Sequence, residues 1–276
     1  MSLSANLNTP LYFDAGFANK GNDDFIARAY ELANFNHTIN IAVEQLINSF
    51  LRPGSIQRLF NKMGIHKNTI YTENSLKFNP SVFHIKPPAY LNGFWQSENY
   101  FKVNEALVRE NLTFKQPLNS QSQHLANILA NQGNAVSVHI RRGDYVSSQT
   151  TNQIHGICSV RYYQQAIAAL QSKLDNPYFY FFSDEPEWVE ENIIFGLANC
   201  CLISHNQGPD SWQDMALMSK CKHHIIANSS FSWWGAWLNP AKEKIVIAPQ
   251  NWFNTQTDYF NDTDIVPKNW IKMANA

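Results

Sequence analysis

The chain lacks the features that would commit it to a membrane, to nucleic acid or to a disulfide framework. No stretch approaches the ~18 consecutive apolar residues of a spanning helix, and the first positive charge is Lys20, which leaves no basic n-region for a secretory signal. Charged residues make up only 16 % of the 276, against roughly 25 % in ordinary domains. With a formal net charge of -1 no global field attracts a polyanion, so nucleic acid is not an expected partner. The four cysteines, Cys158, Cys200, Cys201 and Cys221, form no Cys-x-x-Cys pair and read as small buried thiols in a reducing compartment. Sequons at Asn36, Asn111, Asn228 and Asn261 matter only after secretion. A cytoplasmic protein with at most peripheral contact to the inner face of the membrane is expected.

What is present is length and regularity. A chain of 276 residues has a prior of about two domains and can bury roughly three quarters of its unfolded surface. Residues 1–120 mix a short strand at 10–14 with helical and irregular Asn-rich segments and are read as an N-terminal lobe. From 121 to 257 the pattern alternates. Helices are predicted at 123–132, 161–174, 187–195, 212–220 and 230–238, and strands at 135–140, 178–182, 200–204, 223–227 and 245–248. Ser122 is the expected cap of the first helix, and Tyr162, Ile167, Ala168 and Leu170 the apolar face of the second. Such alternation implies a parallel sheet covered on both faces. Residues 258–276 form a tail expected to pack back on the N-terminal lobe, and 113–121, containing Pro117, is the best linker.

In open α/β sheets ligands sit beyond the C-terminal strand ends, where the stretch VSVHIRRGDYV (136–146) sets Arg141 and Arg142. Period-2 alternation puts Val136, Val138 and Ile140 on one face and His139 and Arg141 on the other; Gly143 then turns the backbone. A planar guanidinium matches a phosphate bidentately. The competing reading is an ion pair of one arginine with Asp144 or Asp184. A second element, IIANSSFSWWGAWLNP (225–240), closes a strand, offers Asn228, Ser229 and Ser230 as cap residues and opens a helix that is apolar nearly all round. Its N-terminus is an anion site without a glycine-rich loop, or else an ordinary capped core helix. FYFFSDEPEW delivers Ser183 and Asp184 to the same edge, for a nucleotide or for capping the helix opened by Pro186. YLNGFWQSENYF (90–101) mixes aromatics with Asn92, Gln96, Ser97 and Glu98, suited to a sugar or to a core. Asp262-Thr263-Asp264 has a metal-holding form but lies in a polar tail, and His223-His224 lacks ligand spacing. No metal site is expected.

In this order, HIRRGDY, YLNGFWQSE and HHIIANSSFSWWGAWLN, with shorter echoes at TPLYFD, HGICSVRYY and IVIAPQNW, resemble the motifs of glycosyltransferase family 11, the alpha-1,2-fucosyltransferases. The resemblance implies a GT-B-like α/β fold of two Rossmann-like lobes with parallel sheets, 1–120 on the acceptor side and 121–257 binding GDP-fucose. It implies inverting transfer of L-fucose from GDP-fucose to the 2-hydroxyl of a terminal galactose in a surface glycan, with no cofactor and no required metal. Arg142 matches the arginine on the donor's β-phosphate, Arg141 its neighbour, and Ser229, Ser230 and Phe231 the helix start that receives the diphosphate. His139, Asp184 and Asn228 complete the donor set, and Trp95, Gln96 and Glu98 are the acceptor candidates. Inversion calls for a base, for which Asp144 is the first candidate and Glu98 the second.

The chain departs from the family pattern at its start. The opening MSLSANLNTPLYFD enters near the end of the family's first helix, without the preceding strand and Gly-Gly-Leu-Gly-Asn-Gln loop. An incomplete N-terminal lobe is therefore expected, and an inactive chain that only binds a sugar nucleotide or glycan is the alternative reading.

Overall fold

The structure, a computed structural model, describes residues 1–16, 30–37, 39–55, 69–255 and 257–276. The chain divides into two compact units, Met1–Thr113 with Thr257–Ile265, and Phe114–Gln256 with Val266–Ala276. Among the described residues no helix is long and apolar enough to cross a membrane.

The first unit contains two short parallel strand pairs among its described residues. One joins β1 (Tyr12–Phe13) to β2 (Asn40–Ile41), the other β3 (Thr69–Thr72) to β4 (Ala89–Asn92). Its core gathers Val82, Ile85 and Tyr100, with Phe78 and Trp95 packed against them. Residues 258–264 thread through this unit: Leu76 N–H donates to the Tyr259 carbonyl (2.9 Å), Ser75 Oγ to that of Asp258 (2.7 Å), and Phe78 N–H to Asp264 Oδ2 (3.1 Å).

The second unit is built on a six-stranded, wholly parallel sheet. Its strands are β5 (Ala135–Ile140), β6 (Tyr178–Ser183), β7 (Cys200–Ile203), β8 (His223–Ile225), β9 (Val246–Pro249) and β10 (Ile271–Met273), in the spatial order β10-β9-β8-β5-β6-β7. The α/β class with a parallel sheet is thus as expected. The last strand comes from the tail and was not legible, because Ile271 and Lys272 are exposed at the sheet edge and leave no apolar run.

Both faces of the sheet are covered. Val136, Val138, Ile140, Phe179 and Phe181 pack on Tyr162, Tyr163, Ala166, Ile167 and Leu170 of the Val160–Gln171 helix. Ala135, Tyr180, Phe182 and Ile203 meet Leu125, Leu129, Leu217 and Met218 on the other side. Two local expectations are corrected. Tyr163 and Ala166 replace the exposed Ala168 on the helix face, since spacings of three and four residues around Ile167 and Leu170 pick out those positions. The Ser120–Asn131 helix is capped not by Ser122 but by Asn119, whose Oδ1 accepts the Ser122 N–H at 2.8 Å.

Buried polar side chains lock β8 and the following helix to the sheet. His224 Nδ1 meets Ser137 Oγ on β5 at 2.7 Å, and its Nε2 accepts from Asn239 Nδ2 at 2.8 Å. Gly235 lets the Ser230–Leu238 helix lie against the Trp212–Met218 helix, where an added Cβ would come within 3.1 Å of Met218. The start of the Ser230–Leu238 helix is therefore held in a fixed position.

Candidate functional site

The strand order reverses between β5 and β8: β6 and β7 extend the sheet on one side of β5, and β8, β9 and β10 on the other. Such a switch point opens a crevice at the C-terminal strand ends and is where α/β proteins bind ligands. Arg141 and Arg142 leave β5 at this point, and Asn228, Ser229 and Ser230 leave β8.

The two arginines are not equivalent. Arg141 is engaged at both ends of its fork, Nη2 by Asp144 and Nη1 by Asp184 Oδ2 at 2.8 Å, with its Cζ 5.6 Å from the Tyr145 ring centroid. The ion-pair reading therefore holds for Arg141. Arg142 donates through Nε to Glu185 Oε2 at 2.8 Å, and its Cζ lies 3.7 Å over the Trp188 ring. No described residue hydrogen-bonds its Nη groups, so its end-on fork is unoccupied by protein acceptors among the described residues. Asp184 Oδ1 also accepts the Arg142 N–H at 3.0 Å. Gly143 is required beside it, because a Cβ there would stand 2.5 Å from Asp184 Oδ2. Beyond Arg142 the chain forms two short helices, Gly143–Ser147 and Gln149–His155, where only a turn was anticipated.

His139 is buried, its ring centroid 5.5 Å from that of Phe231, and its Nδ1 has no hydrogen-bond partner among the described residues. Burial, reinforced by the Arg141 charge, pulls its pKa down to about 3, so the ring is neutral at physiological pH. Ser229 is the N-cap residue of the Ser230–Leu238 helix but makes no side-chain cap, and Ser230 is exposed. Asn228 is turned inward: its Nδ2 donates to the carbonyls of His155 (2.8 Å), Trp252 (3.2 Å) and Gly156 (3.4 Å). Its amide braces three loop carbonyls, while the helix start supplies backbone N–H groups and the positive dipole end.

In the first unit, Glu73 organises the loop that carries the acceptor candidates. Its buried carboxylate accepts the Phe94 N–H at 2.7 Å and the Trp95 N–H at 3.2 Å, and burial raises its pKa. Trp95 has φ +54 and packs edge-on against Tyr100, with ring centroids 5.5 Å apart. Gln96 Oε1 is buried without a partner among the described residues, and Glu98 pairs with Lys102 at 3.1 Å.

Comparison with known proteins decides the family. The sequence model of glycosyl transferase family 11 matches residues 39–274. The chain belongs to glycosyl transferase family 11. An alpha-1,2-colitosyltransferase of Escherichia coli is 42 % identical over 183 residues, covering 66 % of this chain and 61 % of the relative. Galactoside alpha-(1,2)-fucosyltransferase 1 of Saimiri sciureus is 27 % identical over 154 residues, covering 54 % of this chain and 42 % of the relative. The chain thus spans less than two thirds of the length of these curated relatives. Among solved structures, the fucosyltransferase NodZ from Bradyrhizobium is similar with 11 % identity and a TM-score of 0.45, over 87 % of this chain and 86 % of that one.

Within this family member, sequence reasoning missed Glu185 and Trp188 beside Arg142, Glu73 against the Phe94 and Trp95 backbone, and the buried Asp214. Glu185 and Trp188 stand three apart on one helical turn, a spacing that would have flagged a shared face. Glu73 lies 21 residues from Phe94, beyond any local signal. Asp214 sits where Asn206 Nδ2 donates to its Oδ1 at 2.8 Å, and burial pushes its pKa up to about 7.

Proposed function

We propose that the chain is a galactoside alpha-1,2-fucosyltransferase. It transfers L-fucose from GDP-fucose, with inversion and without a metal, to the 2-hydroxyl of a terminal galactoside in a surface glycan, working in the cytoplasm with at most peripheral membrane contact. The carrying observation is the Arg142 fork and the Ser230–Leu238 helix start at the ends of the adjacent strands β5 and β8. The GT-B-like reading makes the second unit the donor lobe.

As the glycosidic bond breaks, negative charge grows on the departing GDP. Guanidinium and helix-terminal N–H groups that grip this charge more tightly in the transition state than in the ground state lower the barrier. His139, Phe231 and Asp184 line the remainder of the donor set. Asp144 is the base of this scheme and Glu98 the second candidate; the ion pair of Asp144 with Arg141 makes its substitution the sharper test. Among the described residues no group of three His, Cys, Asp or Glu is placed to hold a metal ion. The Asp262-Thr263-Asp264 stretch contributes Asp264 to a backbone bond instead.

The test is GDP release and product analysis with lactose in EDTA. GDP-fucose and GDP-colitose are offered separately, because the 42 % identical relative is named for colitose. An alpha-1,2-fucosylated product with inverted configuration is expected. GDP binding without transfer would favour the binding-only alternative, and transfer only with a divalent ion would overturn metal independence.

A further inference from the structure

We propose that Glu185 and Trp188 are positioning residues, which set the guanidinium plane of Arg142 so that its Nη edge faces the donor phosphate. The inference rests on the donor-site reading above and adds two residues to it.

A guanidinium has two bidentate edges, one through Nε and one end-on through both Nη groups, and two flat faces. In Arg142 the Nε donates to Glu185 Oε2 at 2.8 Å, and one face is covered by Trp188 with Cζ 3.7 Å from the ring centroid. With one edge and one face taken, rotation about the long side chain is arrested and only the end-on fork is presented. The side chain is 14 % exposed, so it is fixed in place before any ligand arrives. Arginine otherwise samples many rotamers, and ordering it in advance removes that cost from binding.

The cradle is itself anchored. Glu185 N–H donates to Ser183 Oγ at 3.0 Å, at the end of β6, and Pro186 occupies the first helical position with its backbone pre-set. Val189, the next residue after Trp188, is fully buried in the main core. Glu185 and Trp188 fall at i and i+3 on this turn, which brings both onto the guanidinium. Their positions thus follow from strand β6, not from a mobile loop.

The opposite role for Glu185 is a competitor that shields Arg142 from an incoming diphosphate. Two arginines here meet three carboxylates, Asp144, Asp184 and Glu185. A competitor acts by its charge, whereas a positioning residue needs an acceptor atom. Glu185→Gln keeps an acceptor and loses the charge; Glu185→Ala loses both. Trp188→Phe keeps a stacking face, and Trp188→Leu removes it.

The decisive measurement is calorimetric titration of each variant with GDP, alongside the KM for GDP-fucose and kcat, with circular dichroism and thermal melts to confirm folding. Glu185→Ala and Trp188→Leu are expected to weaken GDP binding about tenfold each. Glu185→Gln and Trp188→Phe should stay within about threefold of the parent, and the exposed Glu187→Gln, which removes charge without touching Arg142, should leave binding unchanged. Tighter GDP binding in both Glu185 variants would overturn the positioning role in favour of charge competition. Unchanged binding in folded Glu185→Ala and Trp188→Leu, while Arg142→Ala loses it, would overturn the proposal and leave the donor site standing. GDP binding insensitive to Arg142→Ala, or absent from the parent chain, would instead remove the donor-site reading itself.

Discussion

Gly143→Ala probes how tightly the arginine loop is built. A Cβ at position 143 would stand 2.5 Å from Asp184 Oδ2 and 3.2 Å from its Cγ. Asp184 is a short side chain already held by Arg141 Nη1 at 2.8 Å and by the Arg142 N–H at 3.0 Å, so it cannot yield without releasing both. Each such charge-assisted contact contributes roughly 1.5 to 3 kcal/mol when shielded. The side chains here keep 21 % and 25 % exposure, so solvent screening reduces the combined loss to about 2 kcal/mol. For a unit of this size that lowers the melting temperature by roughly 4 to 8 °C, readable by circular dichroism or urea unfolding. The double-mutant cycle is the sharper test. Once Asp184→Ala has removed the carboxylate, the new methyl meets only the remaining Cβ at 3.8 Å, an ordinary van der Waals contact, so Gly143→Ala should add almost no further loss. Additive losses within about 0.5 kcal/mol, or a single Gly143→Ala as stable as the parent, would refute the steric account.

Arg142→Lys should leave the fold intact and reduce turnover by about 2.7 to 4 kcal/mol of transition-state stabilisation, since an ammonium offers no planar fork; near-normal transfer would remove its phosphate role. Asn228→Ala removes the donor shared by three carbonyls, two of these contacts buried, and should destabilise the second unit by roughly 2 to 3 kcal/mol, whereas intact stability with lost GDP binding would make Asn228 a ligand contact. Burial raises Asp214 to about 7 from about 3.9 in the unfolded chain. The folded form therefore keeps its proton longer, and stability falls as pH rises from roughly 4 to 7. Asp214→Asn should gain on the parent above pH 7 and show no gain near pH 4, as urea titrations at each pH would read. His139 behaves oppositely: held at about 3 against about 6.5 unfolded, it adds stability above pH 6.5 that is lost as pH falls toward 3, and His139→Gln should flatten that acid limb.

The parts of this protein legible in sequence are those whose signal is local. β5 was readable because the alternating apolar positions Val136, Val138 and Ile140 end abruptly at two arginines, and the Ser230–Leu238 helix because cap residues open it and Asn239-Pro240 closes it. The parallel sheet followed from strand and helix alternation, since parallel neighbours need a crossover. What sequence did not disclose is decided by partners far along the chain. Arg141 and Arg142 are chemically identical neighbours, and nothing local says which keeps a fork for ligand. That difference is made by β6, which pairs with β5 in register so that Ile140 lies beside Ser183. The register carries Asp184 under Arg141 and Glu185 beside Arg142. A single strand pairing therefore ties one arginine to the loop through both Nη groups and leaves the other's Nη groups unbonded among the described residues. Sliding β6 by one residue would exchange the faces of its side chains and dissolve the distinction, which is why a pair of adjacent arginines needed a fold before it had two roles.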